Sequence, residues 1–260
     1  MNYVRTDISN MIGTITMCRD KKMNALNDLL IDEIIASFSS VQNQQEVRVI
    51  ILRAQKGAKI WSAGRDIKSL PTEARDIEGW DTKLLALGNA IRNCPLPVIA
   101  MIEGNVWGLA CEMAFSCDII LATPKASFAI TPAKLGVPYT LSGLQTVIER
   151  LGPNLAKEML FCATGFDAKR LCSHGIINHI VAPDKIEKFA QNMALNITSL
   201  APLSIAALKQ QITDISKASS VSKHAASSSK KRAAHLLSSA DYKEGISAIK
   251  QKRRPNFQGK

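Results

Sequence analysis

Two short segments carry residues suited to holding negative charge on an oxygen. The first, Trp61-Ser62-Ala63-Gly64-Arg65-Asp66-Ile67, strings small residues together shortly after an apolar β-branched run. Small side chains let a ligand approach the backbone and reach its N–H groups. The second, Ile102-Glu103-Gly104-Asn105-Val106-Trp107-Gly108-Leu109-Ala110-Cys111-Glu112, reads as the end of a strand, two turn glycines and the start of a helix. The first N–H groups of a helix lack internal acceptors, and the helix dipole favours negative charge beside them. A carbonyl oxygen that becomes an oxyanion suits such a place. Taken singly, each segment is more often plain chain connection, because glycine-containing strand-to-helix turns are common.

The surrounding pattern supplies elements to position them. Met11 to Cys18 alternates apolar and small polar residues and predicts a strand, and Val47 to Leu52 predicts another. Leu29 to Val41 places Leu30, Ile34, Ile35 and Phe38 at helical spacing. Leu84 to Ile91 predicts a helix that stops before Cys94-Pro95, since a residue preceding proline resists the helical conformation. Pro97 to Ile102 and Ile119 to Ala122 predict buried strands, with a helix over Val106 to Ser116 between them. Helices are expected over Gly143 to Leu151, Pro153 to Ala163 and Ala168 to His174, then a short strand over Ile176 to Val181. Strands separated by helices imply a mostly parallel sheet with crossovers, the α/β class. From Asp184 onward the pattern is helical, and the Ser-, Lys- and Ala-rich Ala218 to Lys231 is expected on a surface.

Composition narrows the classes further. With 46% hydrophobic residues in 260, the chain can bury a sizeable core and is no candidate for disorder. Met1 to Arg19 has no signal-peptide pattern, and no run of eighteen apolar residues is present, so a soluble cytoplasmic protein is expected. The six cysteines form no C-x-x-C pair and fit a reducing compartment. The histidines, His174, His179, His224 and His235, all lie in the last third and are expected to be structural or exposed; no metal site is indicated. From Lys217 to the end, eleven Lys or Arg face only Asp241 and Glu244, so +9 of the +11 net charge sits there. A basic end suits an anionic partner, nucleic acid or a phosphate-rich cofactor, although Lys230-Lys231-Arg232 also reads as a solvated helical face.

In combination the segments resemble the crotonase (enoyl-CoA hydratase/isomerase) superfamily. The resemblance covers essentially the whole chain. It rests on Asn24-Ala25-Leu26, Ser62 through Ile67, Glu103-Gly104 through Glu112, Cys117-Asp118-Ile119-Ile120 and Leu135-Gly136-Val137-Pro138. It implies an α/β spiral of ββα units followed by helices that drive trimer formation, trimers often pairing into hexamers. Residues 1–190 are then expected to form the spiral core with the active site, and 191–260 a helical part for oligomerisation and coenzyme A contacts. The resemblance also implies acyl-CoA thioester substrates, with the two oxyanion-hole N–H groups on Arg65 and Leu109. No metal and no separate cofactor is expected, because coenzyme A is part of the substrate.

The choice among the family's reactions must come from residues. Hydration of an enoyl thioester uses two glutamates in this family to hold water and move protons. The first matches Glu112; the second falls at Ala133, which can do neither. Decarboxylation of a malonyl-type thioester asks for less, since departure of CO₂ leaves the enolate directly. It needs enolate stabilisation and a carboxylate held with its breaking bond perpendicular to the thioester plane. Tyr139 is a neutral donor for that second task, although tyrosine in this setting is also a common packing residue. Val106-Trp107-Gly108, Phe128 through Pro132, Leu135 through Tyr139 and Lys252 through Phe257 are similar to the decarboxylating members of the family. That similarity implies acyl-CoA contacts from Ala63, Gly64, Arg65, Asp66, Ile67, Leu109 and Thr131, with Lys252 reaching the coenzyme. Those members carry histidine at Arg65 and glycine at Leu109, changes a backbone donor tolerates. The expected reaction is decarboxylation of methylmalonyl-CoA, or a close malonyl-type thioester, to propionyl-CoA and CO₂. Hydratase or isomerase chemistry through Glu112 is the alternative, and Glu112 reads equally well as structural. A non-catalytic basic trimer binding nucleic acid is a third reading, weakened because Tyr242 is the sole aromatic between Lys217 and Arg254.

Overall fold

The computed structural model describes residues 2–70, 82–217, 227, 231–232, 234–235 and 237–258. His224 and most of the Ala218 to Lys231 segment lie outside the described residues.

The chain opens with β1 (Val4–Ser9) and β2 (Ile12–Met17), an antiparallel pair, then α1 (Asp28–Gln42). Three ββα units follow: β3 (Val49–Ala54), β4 (Ile60–Ser62) and α2 (Thr82–Arg92); β5 (Val98–Ile102), β6 (Asn105–Trp107) and α3 (Leu109–Phe115); β7 (Ile119–Ala122), β8 (Ser127–Ala129) and α4 (Leu141–Phe161). The first strand of each unit joins a six-stranded sheet of order β1-β2-β3-β5-β7-β10, and the second joins a four-stranded sheet of order β4-β6-β8-β9. Each unit therefore climbs one step in two parallel layers at once, and the chain forms the crotonase spiral. Leu26, just before α1, pairs in parallel with Arg65 as an isolated bridge. It occupies the place a second strand would take in an earlier unit formed with β2.

Strands β3 and β5 are buried along their whole length, as parallel strands covered on both faces must be. Ile50, Leu52 and Ala54 enter the large core beneath α1 to α4, while Val49 and Ile51 face the other way, toward α6 (Ile186–Thr198). Between α4 and α6 come β9 (Phe166–Asp167), α5 (Ala168–Ser173) and β10 (His179–Ile180), and α7 (Pro202–Lys217) and α8 (Ala240–Lys250) follow. The cysteines are free, and burial pushes the Cys117 thiol up to about 12. Among the described residues, no helix is long and apolar enough to cross a membrane.

Two expectations are corrected. The helix predicted over Val106 to Ser116 begins only at Leu109, because Asn105–Trp107 pairs as β6 and Gly108, at φ 54 and ψ −128, lies outside helical space. The final strand is also shorter than Ile176 to Val181, spanning His179–Ile180. The two helices expected on either side of residue 152 are present within the α4 span, which leaves helical geometry at Gly152 (φ 68, ψ 163) ahead of Pro153.

Arg53 is the one charged side chain facing the interior from β3. It pairs with Glu103 at 3.3 Å and Glu187 at 2.6 Å, tying α6 to the carboxyl ends of β3 and β5. Removing one member of such a pair strands the others in a poor solvent. Arg53→Ala is therefore expected to lower unfolding free energy by about 3–5 kcal/mol. Lys56→Ala, at the 75% exposed edge of the same cluster, should cost less than about 1 kcal/mol. Urea denaturation of the whole protein compares them, and equal costs would contradict the assignment.

Candidate active site

Asn24 is the template on which the first loop forms. Its buried amide donates to the Trp61 carbonyl at 3.0 Å, and its own carbonyl accepts from the Ser62 hydroxyl at 2.7 Å. The Ala63 N–H donates to Met23 at 2.9 Å, the Leu26 N–H to Gly64 at 2.7 Å and the Asp66 N–H to Leu26 at 3.1 Å. Peptide groups on either side of Arg65 thus point at Leu26. Because successive groups of an extended chain alternate, the Arg65 N–H points to the opposite edge, where the second loop lies.

The second loop arrives there by close backbone contact. Gly64 has φ 81, and a methyl on it would collide with the Trp107 carbonyl oxygen and stand 3.0 Å from Leu109 N. Gly108 donates its own N–H to Ala129 at 2.7 Å, which uses it in the sheet layer. Leu109 is the first residue of α3, so its N–H has no intrahelical acceptor. Both Arg65 and Leu109 line a cavity of about 370 Å³. Two amides with no part in the strand or helix ladder are thereby brought to one space, the arrangement that stabilises an oxyanion.

Of the residues nominated from sequence, Ala63, Arg65, Ile67, Leu109, Thr131 and Tyr139 line this cavity. Gly64 supplies the backbone contact beneath it. Asp66 is turned to structure: it accepts from Arg19 at 3.0 Å and from the Lys68 N–H at 3.2 Å. Lys252 is exposed just past α8, in a left-handed conformation with φ 53, and is not among the described lining residues. The Arg65 guanidinium reaches away, donating to the Leu26 carbonyl at 3.3 Å and to Asp28 at 2.7 Å. Its cation is spent on the α1 N-terminus. Trp107, Lys134 and Val137 are among the further residues of the wall and were not nominated. Their signal was present only as neighbours of the motifs, because nothing in a single side chain marks it as facing a void.

Tyr139 lines this cavity and has Glu112, which borders the small neighbouring void, beside it. The phenol oxygen is buried, and burial first, then the neighbouring Glu112 carboxylate, hold its pKa well above the usual tyrosine value. Tyr139 therefore keeps its proton throughout the neutral range. The Glu112 carboxylate rests on Gly143, in the first turn of α4, where Thr140 Oγ1 caps the Gly143 N–H at 2.9 Å. A Cβ at position 143 would overlap that carboxylate, so glycine is needed there. Sequence reasoning missed Gly143, since its partner lies thirty-one residues away. Ala133, in the short turn Pro132–Lys134, is exposed and carries no acid or base. α8 packs on this same loop, with Gly245 against the Leu135 carbonyl and Gly136 close to Asp241.

Comparison with known proteins agrees with the geometry. Residues 7–260 match the enoyl-CoA hydratase/isomerase family model. The chain is 37% identical over 257 residues to a methylmalonyl-CoA decarboxylase of Escherichia coli (strain K12), covering 99% of this chain and 98% of that one. It is 32% identical over 216 residues to a short-chain-enoyl-CoA hydratase of Clostridium acetobutylicum, covering 82% and 81%. A solved structure of methylmalonyl-CoA decarboxylase in complex with 2-nitronate-propionyl-CoA superposes with TM-score 0.94 at 36% identity, covering 99% of both chains. A second, complexed with 2S-carboxypropyl CoA, gives 0.95 at 36% identity over 100% of this chain and 99% of that one. With its spiral of ββα units, its paired loop amides and these relatives, the chain belongs to the enoyl-CoA hydratase/isomerase family of enzymes.

Proposed function

We propose that the protein decarboxylates methylmalonyl-CoA, or a close malonyl-type thioester, to propionyl-CoA and CO₂. The observation that carries this reading is a neutral phenol, Tyr139, on the same cavity as the Arg65 and Leu109 amides, while Ala133 supplies no second carboxylate. In the reaction the bond between the α-carbon and the carboxylate breaks, and its electron pair becomes the enolate. Charge then develops on the thioester oxygen, which accepts from the Arg65 and Leu109 N–H groups. CO₂ leaves, and the α-carbon takes a proton from water. Tyr139 donates to the substrate carboxylate and fixes its rotation, so that the breaking bond overlaps the carbonyl π system. A neutral donor suits this role, because a cation would stabilise the carboxylate before it departs and raise the barrier. The tie of the Arg65 guanidinium to Asp28 fits that requirement. No step calls for a metal or for an organic cofactor beyond the coenzyme A that the substrate carries.

Ala63, Ile67 and Thr131 are proposed to flank the acyl thioester, Asp66 to shape the loop behind it and Lys252 to meet the coenzyme at the cavity rim. A trimer or hexamer is part of the proposal, supported by α7, which exposes Leu203, Leu208, Ile212 and Ile215. Residues 191–260 would then serve assembly and coenzyme contacts, and 1–190 the chemistry. A cytoplasmic location is proposed with the substrate.

A second reading has support in the Clostridium hydratase relative and in the Glu112 carboxylate beside Tyr139. On it, Glu112 alone acts as base in hydrating or isomerising an enoyl-CoA. Crotonyl-CoA hydration abolished by Glu112→Gln, with no CO₂ from methylmalonyl-CoA, would replace the first reading with this one.

Decarboxylation is tested by following propionyl-CoA by mass from methylmalonyl-CoA, and a rate no higher than the uncatalysed one would sink it. Tyr139→Phe keeps the ring and removes the donor, so kcat should fall about 10–100-fold, as expected for a hydrogen bond to a charged group. Gly64→Ala forces the two loops apart and should lower kcat about 100–1000-fold, the loss of one oxyanion donor. The pH profile carries its own sign. Protonated Tyr139 is the active form and its pKa is raised, so kcat should not fall as pH climbs through the ordinary tyrosine value of about 10. A decline centred at that value in the wild type, absent in Tyr139→Phe, would contradict the assignment.

A further inference from the structure

We infer that the Leu109 side chain is the partition that limits how large an acyl group the site accepts. This rests on the acyl-thioester reading of the cavity and adds to it a second function for the same residue. The Leu109 amide faces the oxyanion position, while its isobutyl group is 9% exposed and packs in the core. Two voids lie against that group. One is the acyl cavity of about 370 Å³; the other, of about 20 Å³, is bounded by Leu84, Leu87 and Met113 on its apolar side and by Glu112 and Arg92 on its polar side. Among the described residues lining them, Leu109 is the one the two spaces share.

Beyond the smaller void the path continues. It shares Leu85, Arg92, Ser116, Ser142 and Thr146 with a groove of about 720 Å³ between α2, α4 and α7, whose apolar wall includes Ile205 and Leu208. Leu109 therefore stands between the reaction space and a small void that opens toward this groove.

The chemistry places the acyl group against that side chain. An oxygen accepting from the Leu109 N–H sits roughly 2.9 Å from the nitrogen. The acyl α-carbon is two bonds from that oxygen, and the Leu109 Cβ is two bonds from that nitrogen. Substituents on the α-carbon thus reach the isobutyl group before any more distant wall. With leucine present, a methyl branch fits and a longer chain meets carbon. Shortening the residue to alanine keeps the amide, since alanine suits the first position of a helix as well as leucine does, and opens the passage.

The test is binding of saturated acyl-CoAs to the intact protein by calorimetry, with free coenzyme A as reference, so that no turnover is needed. A methylene accepted or refused by a hydrophobic pocket is worth about 10–200-fold. Wild-type affinity is expected to drop at least about tenfold from propionyl-CoA to octanoyl-CoA, and Leu109→Ala to remove or reverse that drop. Leu109→Val, a smaller cut that spares the fold, should move the limit the same way by less. Adding Leu85→Trp to Leu109→Ala should restore the short-chain preference by closing the route further along. An unchanged chain-length profile in both Leu109 variants would overturn the inference and leave the proposed reaction standing. No binding of any acyl-CoA beyond that of free coenzyme A would overturn both.

Discussion

The contact between Gly64 and the Trp107 to Leu109 backbone is the constraint on which the site depends. At that point two loops approach until a single methyl has no room. Such closeness is costly for a chain to arrange, because it needs positive φ at Gly64 and Gly108 together with a sheet layer that sets both loops in register. The return is two amides whose hydrogen-bonding capacity is left outside the ladders. Buried backbone donors are nearly always satisfied, so a pair brought to one cavity is the feature on which the proposed oxyanion site rests.

The spiral supplies the register. Because β4, β6 and β8 stack in parallel, each following loop leaves the small layer at the same edge, one strand spacing further along. The Leu26 bridge extends this layer by one step and turns the Arg65 peptide so that its N–H faces the cavity. Asn24 then holds the loop through its buried amide, which donates to the Trp61 carbonyl, while its Oδ1 accepts from the Arg19 N–H. The large sheet, fully buried in β3 and β5, serves as the rigid wall against which this arrangement is held.

Electrostatics at the site follow from what is turned toward the cavity and what is turned away. Two cations close by, Arg19 and Arg65, are consumed by Asp66 and Asp28. The Glu112 carboxylate is set behind Tyr139, on the first turn of α4, where the helix N-terminus favours negative charge. What lines the cavity is then a pair of loop amides, a neutral phenol, Thr131, Lys134 and otherwise mostly apolar walls, the setting on which the proposed reaction draws.

The residues by themselves determined the α/β class, the long strands and most helices, because Val, Ile and Leu at period two or 3.6 report burial locally. They also marked Gly64 and Gly108 by type within their turns, whereas Tyr139 and the missing acid at Ala133 stood out only through the resemblance to the family. Only tertiary structure decided the small sheet, whose strands of two or three residues are too short for any period to register; Val106, taken by helical pattern into α3, belongs to one of them. It decided likewise that the Arg65 charge leaves the cavity, that Glu112 needs Gly143, and that Leu109 stands between two spaces. Each of these is a contact between segments distant in the chain, and no local pattern of side chains encodes the direction in which a neighbour will be found.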